Sequence, residues 1–140
     1  MPFISVILAM RDEEKNIWDC LCGLVNQDYP KNRYEIIVIN DRSMDKSPQI
    51  VEELKKKYPL IRSLHIETVN NKLTGKQNAL HVGIKTAKGE WIMCTDADCW
   101  IKPSWISNTV KQINKNTGFI FGNTSIEDRR NRSIFNYLQT

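Results

Sequence analysis

Phe3-Ile4-Ser5-Val6-Ile7-Leu8-Ala9, followed at once by Met10-Arg11-Asp12-Glu13, decides how this chain folds. The first seven residues hold one hydroxyl and no charge. A strand with one wet face would alternate apolar and polar residues, whereas a nearly continuous apolar run predicts a strand covered on both faces. Charge begins where the run stops. The same grammar recurs at Tyr34-Glu35-Ile36-Ile37-Val38-Ile39, which leads into Asn40-Asp41-Arg42-Ser43-Met44-Asp45, and at Trp91-Ile92-Met93-Cys94-Thr95, which leads into Asp96-Ala97-Asp98. If these strands are parallel, their polar ends gather in one crevice at the carboxyl edge of the sheet.

Helical patterns separate the strands. Asp12 is a plausible N-cap for a helix carrying Ile17, Leu21, Leu24 and Val25 at helical spacing. Ser47-Pro48 places a cap before a first-turn proline, and Ile50, Val51, Leu54 and Tyr58 follow on one side. Leu60 to Ile66 reads as a third strand. Thr74 and Gln77 have the spacing of a capping box and open a helix with Ala79, Leu80, Gly83, Ile84 and Ala87 on one side. Pro103 is expected to start a helix bearing Ile106, Val110 and Ile113. Phe119-Ile120-Phe121 reads as a fifth strand, and the tail from Arg129 as helical. Strand–helix alternation at these lengths requires crossover connections. The expected fold is therefore α/β, a mainly parallel sheet with helices on both faces.

At 140 residues the chain suits one domain, 1–140, and its 41% hydrophobic and 26% charged content is ordinary for a globular protein. The net charge of +4 is spread along the sequence, and no basic stripe with interleaved aromatics argues for nucleic acid. Lys55-Lys56-Lys57 fits the solvated side of a helix. Cys20, Cys22, Cys94 and Cys99 match no zinc spacing and suggest reduced thiols, hence a cytoplasmic setting. The longest apolar run is too short to span a bilayer. His65 and His81 read as packing or surface residues, Trp91 as core, and Trp100 and Trp105 as core or sugar-facing.

Asp96 and Asp98 stand at i and i+2, so on extended backbone they would share a face. A carboxylate pair at a strand's carboxyl end suits a hard divalent cation that bridges protein and substrate phosphate. A capping loop would use the same residues more blandly. Taken with the other motifs, a resemblance decides between them. Ser5 to Glu14, Asn26-Gln27-Asp28-Tyr29-Pro30, Tyr34 to Asp45, Gly75-Lys76-Gln77-Asn78-Ala79-Leu80, and Gly89-Glu90 with Asp96-Ala97-Asp98 resemble, in order, the successive motifs of family 2 glycosyltransferases. The resemblance covers about residues 3 to 105. It implies a GT-A fold, a nucleoside-diphosphate-sugar donor, Mg2+ or Mn2+, and an inverting transfer to a carbohydrate or lipid-linked hydroxyl, as in polysaccharide or cell-wall synthesis.

The resemblance also assigns roles. Asp41 would accept the ring N–H of uracil or guanine, which adenine lacks. Ala9, Arg11 and Glu13 would line the nucleoside, with Glu13 toward the ribose hydroxyls. Lys76, at a helix start, would face the diphosphate. Asp98 would be the direct metal ligand, with Asp96 on the ribose or sugar side and also toward the metal. The sequence departs from the family's usual residues at Ala9, Asp12, Asn40 and Arg42, where Pro, Asn, Asp and Gly are frequent. Glu127 and Asp128 are the acidic residues nearest to a general-base role, but they follow the fifth strand closely enough to belong to a turn. The general base, the acceptor-binding part and any membrane-associating helices are therefore expected beyond Thr140. The chain would be the donor-binding portion of a longer enzyme, at the cytoplasmic face of a membrane if anchored. An uncovered apolar surface near the fifth strand would favour self-association. Two other readings remain: a donor-binding module without catalysis, and a nucleotidyltransferase, whose Gly-rich phosphate loop is missing after the first strand. A Rossmann dehydrogenase would need a G-x-G-x-x-G that is absent.

Overall fold

The computed structural model of the chain describes residues 1–67, 73–122 and 125. Four parallel strands, β1 (Ile4–Met10), β2 (Tyr34–Asn40), β3 (Ile61–His65) and β4 (Trp91–Asp96), lie in the order β3-β2-β1-β4. Between them run α1 (Ile17–Val25), α2 (Ser47–Lys57) and α3 (Gly75–Thr86), and α4 (Trp105–Lys111) follows β4.

The strand period of two sorts the core. Ile4, Val6, Leu8 and Met10 of β1, with Ile36 and Val38 of β2, face one layer, where they meet Ile17, Leu21 and Leu24 of α1 and Val51 and Leu54 of α2. Ile7, Ile37 and Ile39 face the other layer and pack with Ala79 of α3. Both faces of the two central strands are thus apolar, which is why their sequences do not alternate. Gly83 brings α3 down onto the sheet: a Cβ there would lie 2.6 Å from Ile7 Cγ2.

At the amino end of the sheet a buried carboxylate is fully engaged. Glu35 accepts hydrogen bonds from Ser5 Oγ at 2.7 Å, from the Lys88 N–H at 2.8 Å and from Arg62 at 2.6 Å. Burial alone would raise the Glu35 pKa, but these bonds from Ser5, Lys88 and Arg62 outweigh it and hold the carboxyl below its usual range.

Several expected boundaries move. Asp12 does not cap α1, which starts at Ile17 after Asn16. Asp12 instead has a left-handed φ of 55°, and its Oδ1 accepts the Met44 N–H at 2.7 Å. The Thr74–Gln77 capping box does not form; Thr74 makes no side-chain cap, and the Gln77 N–H bonds the Thr74 carbonyl. Pro103 lies in the turn before α4, where its carbonyl accepts the Asp28 N–H at 2.9 Å. Gln27 secures that turn by donating to the Lys102 carbonyl and accepting the Ile106 N–H. Phe119-Ile120-Phe121 is not a strand. Among the described residues β4 is an edge, and no ladder partner satisfies that segment's backbone. Phe119 and Phe121 pack on each other edge to face while 73% and 88% exposed. The expected tail helix lies outside the described residues. Among those described, no helix is long and apolar enough to cross a membrane.

Candidate functional site

The carboxyl ends of β1, β2 and β4 open onto a cleft of about 360 Å³ with α3 as its far wall. β1 and the loop after it supply Ala9, Met10, Arg11 and Glu13; the loop after β2 supplies Asp41; β4 and its turn supply Asp96, Ala97 and Asp98; α3 supplies Gly75, Lys76 and Ala79. Ala9, Arg11, Glu13, Asp41, Lys76, Asp96 and Asp98, spread over ninety residues of sequence, thus line one cavity. Glu127 and Asp128 lie outside the described residues.

Asp96 and Asp98 reach the cleft differently from the extended geometry expected. Only Asp96 belongs to the strand, and the Cys99 N–H bonds back to the Asp96 carbonyl at 3.2 Å, so Ala97 and Asp98 form a turn. Ala97 points into the core, while both carboxylates stay exposed. Behind the turn, Cys20 Sγ lies 3.6 Å from the Asp96 carbonyl oxygen. Burial, with further contributions from Cys99 and Asp98, pushes the Cys20 thiol up to about 12, so it stays protonated and serves packing.

Lys76 stands in the first turn of α3 and forms an ion pair with Asp96 across the cleft. Gly75 before it has φ +46°, a conformation that suits glycine, and lies beside Asp41: a Cβ there would be 3.9 Å from Asp41 Oδ2. Asp41 is buried, its N–H bonds the Met10 carbonyl, and its Oδ1 accepts Arg42 Nε–H at 2.9 Å.

The loops after β1 and β2 are laced together by bonds that the motifs did not reveal. The Asp12 N–H donates to Ser43 Oγ at 3.1 Å, the Glu13 N–H to Ser47 Oγ at 2.8 Å, and the Glu14 N–H to Asp45 Oδ2 at 2.9 Å. In return the Met44 N–H reaches Asp12 Oδ1, and the Lys46 N–H reaches Glu14 Oε2. Burial opposes the charge on Asp45, yet bonds from the Ser47 hydroxyl and N–H and from the Glu14 N–H prevail and lower its pKa. Asn40 completes the base of the lacing: its Oδ1 accepts the Ser43 N–H, and its amide nitrogen lies 3.0 Å from His65 Nδ1. Two non-glycine residues here, Asp12 and Arg42, hold positive φ, at a cost of about 1–2 kcal/mol each that these bonds offset. The only sequence signal for this lacing was the density of Ser, Asp and Asn after each strand, residues that bond nearby backbone.

No group of three His, Cys, Asp or Glu side chains converges among the described residues. Asp96 and Asp98 therefore offer two carboxylate side chains and nothing resembling an all-protein cage. Such a donor set fits Mg2+ or Mn2+, which keep water and substrate oxygens as ligands, better than a structural zinc.

Comparison with known proteins places the same residues in a wider setting. The family profile described as glycosyl transferase family 2 matches residues 5–139. A poly-β-1,6-N-acetyl-D-glucosamine synthase of Staphylococcus epidermidis is 37% identical over 139 residues, covering 98% of this chain and 32% of the relative. A β-monoglucosyldiacylglycerol synthase of Trichormus variabilis is 33% identical over 79% of this chain and 23% of its own length. Among solved structures, S. aureus TarS 1-349 in complex with UDP-GlcNAc superposes with a TM-score of 0.68 and 32% identity, over 78% of this chain and 30% of TarS. The mannosyltransferase PcManGT from Pyrobaculum calidifontis, in complex with GDP-Man and Mn2+, superposes with a TM-score of 0.71 and 28% identity, over 79% and 32% of the two chains. The fold is GT-A. The chain spans about a third or less of the length of these relatives.

Proposed function

Because this chain belongs to glycosyl transferase family 2, we propose that its cleft binds a nucleoside-diphosphate sugar and forms the donor half of an inverting glycosyltransferase. The observation that carries the reading is the convergence of Arg11, Glu13, Asp41, Lys76, Asp96 and Asp98 from four separate elements on one cavity. Asp41 receives the base through a ring N–H. Glu13 offers carboxylate oxygens to the ribose hydroxyls, and its Oε2 is kept in place by Asn16 Nδ2 at 2.9 Å. Lys76 meets the diphosphate at the start of α3, where helix N–H groups add positive potential. Its ion pair with Asp96 keeps the ammonium over the cleft until an anion arrives.

Asp98, with Asp96 beside it, would hold Mg2+ or Mn2+. The bound cation would offset the negative charge that develops on the departing nucleoside diphosphate. Support comes from the two-carboxylate donor set and from the Mn2+ and nucleotide sugars in the complexes of the structural neighbours. The reaction we propose is a single displacement, in which an acceptor hydroxyl attacks the anomeric carbon and the diphosphate leaves. The acceptor would be a carbohydrate or lipid-linked hydroxyl, in keeping with the names of the relatives. Deprotonation of the acceptor hydroxyl by a general base would speed such a transfer by about 10²–10⁴-fold.

Calorimetric titration of the chain with uridine and guanosine diphosphates and ADP, with and without magnesium, tests the donor assignment. Magnesium-enhanced binding of a uridine or guanosine diphosphate, weaker binding of ADP, and losses in Asp41→Ala and Lys76→Ala are expected. Binding indifferent to both substitutions would refute it. Donor hydrolysis or transfer assays with the same chain then separate an enzyme from a binding module.

A further inference from the structure

Within the donor cleft one carboxylate is already half engaged. Arg42 Nε–H donates to Asp41 Oδ1 at 2.9 Å, an ion pair between adjacent residues. Here the left-handed backbone of Arg42, φ 57°, turns its guanidinium back onto the preceding carboxylate. The Asp41 side chain is 7% exposed and that of Arg42 34%, so the pair closes off the Oδ1 side from solvent. Oδ2 lies on the side of Gly75, which lines the cleft with Asp41, whereas Arg42 is not part of the cleft lining.

The two bases that a carboxylate can recognise differ in what they ask of it. Guanine presents two adjacent donors, a ring N–H and an exocyclic amine, and matches a carboxylate with both oxygens available, as in other two-point carboxylate recognition. Uracil presents one ring N–H flanked by two carbonyl oxygens and needs a single acceptor oxygen. A second unoccupied oxygen facing a uracil carbonyl would even be repulsive. We infer that Arg42 is a specificity-determining residue: by orienting Asp41 through Oδ1 it presents Oδ2, on the Gly75 side of the cleft, as the oxygen that meets the base, and so selects uridine over guanosine diphosphate donors. This inference rests on the donor-cleft reading above and refines it. Arg42 acts through Asp41 and need not touch the ligand. Arg holds this position better than Lys would, because its planar guanidinium keeps a fixed donor on the carboxylate.

The test is the ratio of UDP to GDP affinities, measured by calorimetry in magnesium, for the unaltered chain, Arg42→Gly and Arg42→Asn. Glycine and asparagine both accept the left-handed backbone, so neither variant imposes new strain. In the unaltered chain UDP should bind about tenfold or more tighter than GDP. Both variants should narrow that ratio by about tenfold, mainly through a gain for GDP, the scale expected when a charge-assisted bond becomes available. A ratio unchanged in both variants, or a preference for GDP in the unaltered chain, would overturn the role of Arg42 while leaving a nucleotide cleft in place. Failure of all three proteins to bind either diphosphate would instead remove the donor-cleft reading, and this inference with it.

Discussion

Glu35 near the start of β2 and Asp41 just past its end are both buried carboxylates, and they are treated in opposite ways. Glu35 at the amino end meets Ser5, Arg62 and the Lys88 N–H, so its oxygens are satisfied from three elements of the protein itself. Asp41 at the carboxyl end has, among the described residues, one side-chain partner, its neighbour Arg42, and lines a cavity. A buried carboxylate is tolerable only when its bonds are made. At one end of the strand the fold makes them; at the other it leaves room for a ligand. One end stabilises, and the other is where we propose that a ligand binds.

The largest effect that would break this contrast is on stability. Glu35→Ala leaves Ser5 Oγ and the Lys88 N–H without their acceptor, and we expect a loss of roughly 2–4 kcal/mol. For a domain of this size that is a fall in Tm on the order of 10 °C, with nucleotide affinity of the folded protein unchanged. A matching loss of affinity in calorimetry would mean that the two ends are not independent.

Asp41→Ala should show the converse. Uridine diphosphate affinity should fall about tenfold or more, the scale of a charge-assisted hydrogen bond of about 1.5–3 kcal/mol, with little change in Tm. Asp98→Asn should follow with a loss of about tenfold seen mainly when magnesium is present, and a Tm near that of the unaltered chain. A large fall in Tm with intact affinity would make Asp98 a residue of the turn alone.

Acid sharpens the contrast further. The Glu35 pKa is lower in the folded than in the unfolded chain, so its contribution is complete above the unfolded value of about 4.3 and is lost as pH falls through the folded value. Asp45 is depressed too and acts with the same sign. Acid melts of Glu35→Gln should therefore lose part of the pH dependence below about pH 5 and leave the Asp45 part. A smaller effect belongs to the outer strand. Ile92 on the edge strand β4 is 38% exposed, and Phe119 and Phe121 are more so. Sedimentation velocity should show weak, concentration-dependent self-association that Phe121→Ser reduces.

The sheet was legible because β1 and β2 are central: with helices on both faces most positions had to be apolar, and the runs announce that, Ser5 and Glu35 being buried exceptions. The cleft was legible for a related reason, since parallel strands deliver their polar ends to one edge. What misled was local. Asp12 looks like a helix cap, but its carboxylate is drawn across to Met44, 32 residues away in sequence. Thr74 and Gln77 have capping-box spacing, yet Gly75 starts the helix with a positive φ and the side-chain bonds do not form. Phe119–Phe121 has strand composition, yet among the described residues it joins no ladder. Ser43 and Asp45 stand in the Tyr34 to Asp45 motif, and Ser47 was expected to cap α2, which instead begins at Ser47 after Lys46. Their lacing bonds were not legible because the partners are backbone N–H groups, which sequence does not distinguish.

That lacing has a kinetic consequence. The amide hydrogens of Asp12, Glu13 and Glu14 are held by side chains of the second loop, and those of Met44 and Lys46 by side chains of the first. Neither loop can release its amides to deuterium without loosening the other. The five should exchange as one cooperative unit with a shared opening rate. Two stretches distant in sequence would thus breathe in step, and a ligand gripping either would slow the exchange of both.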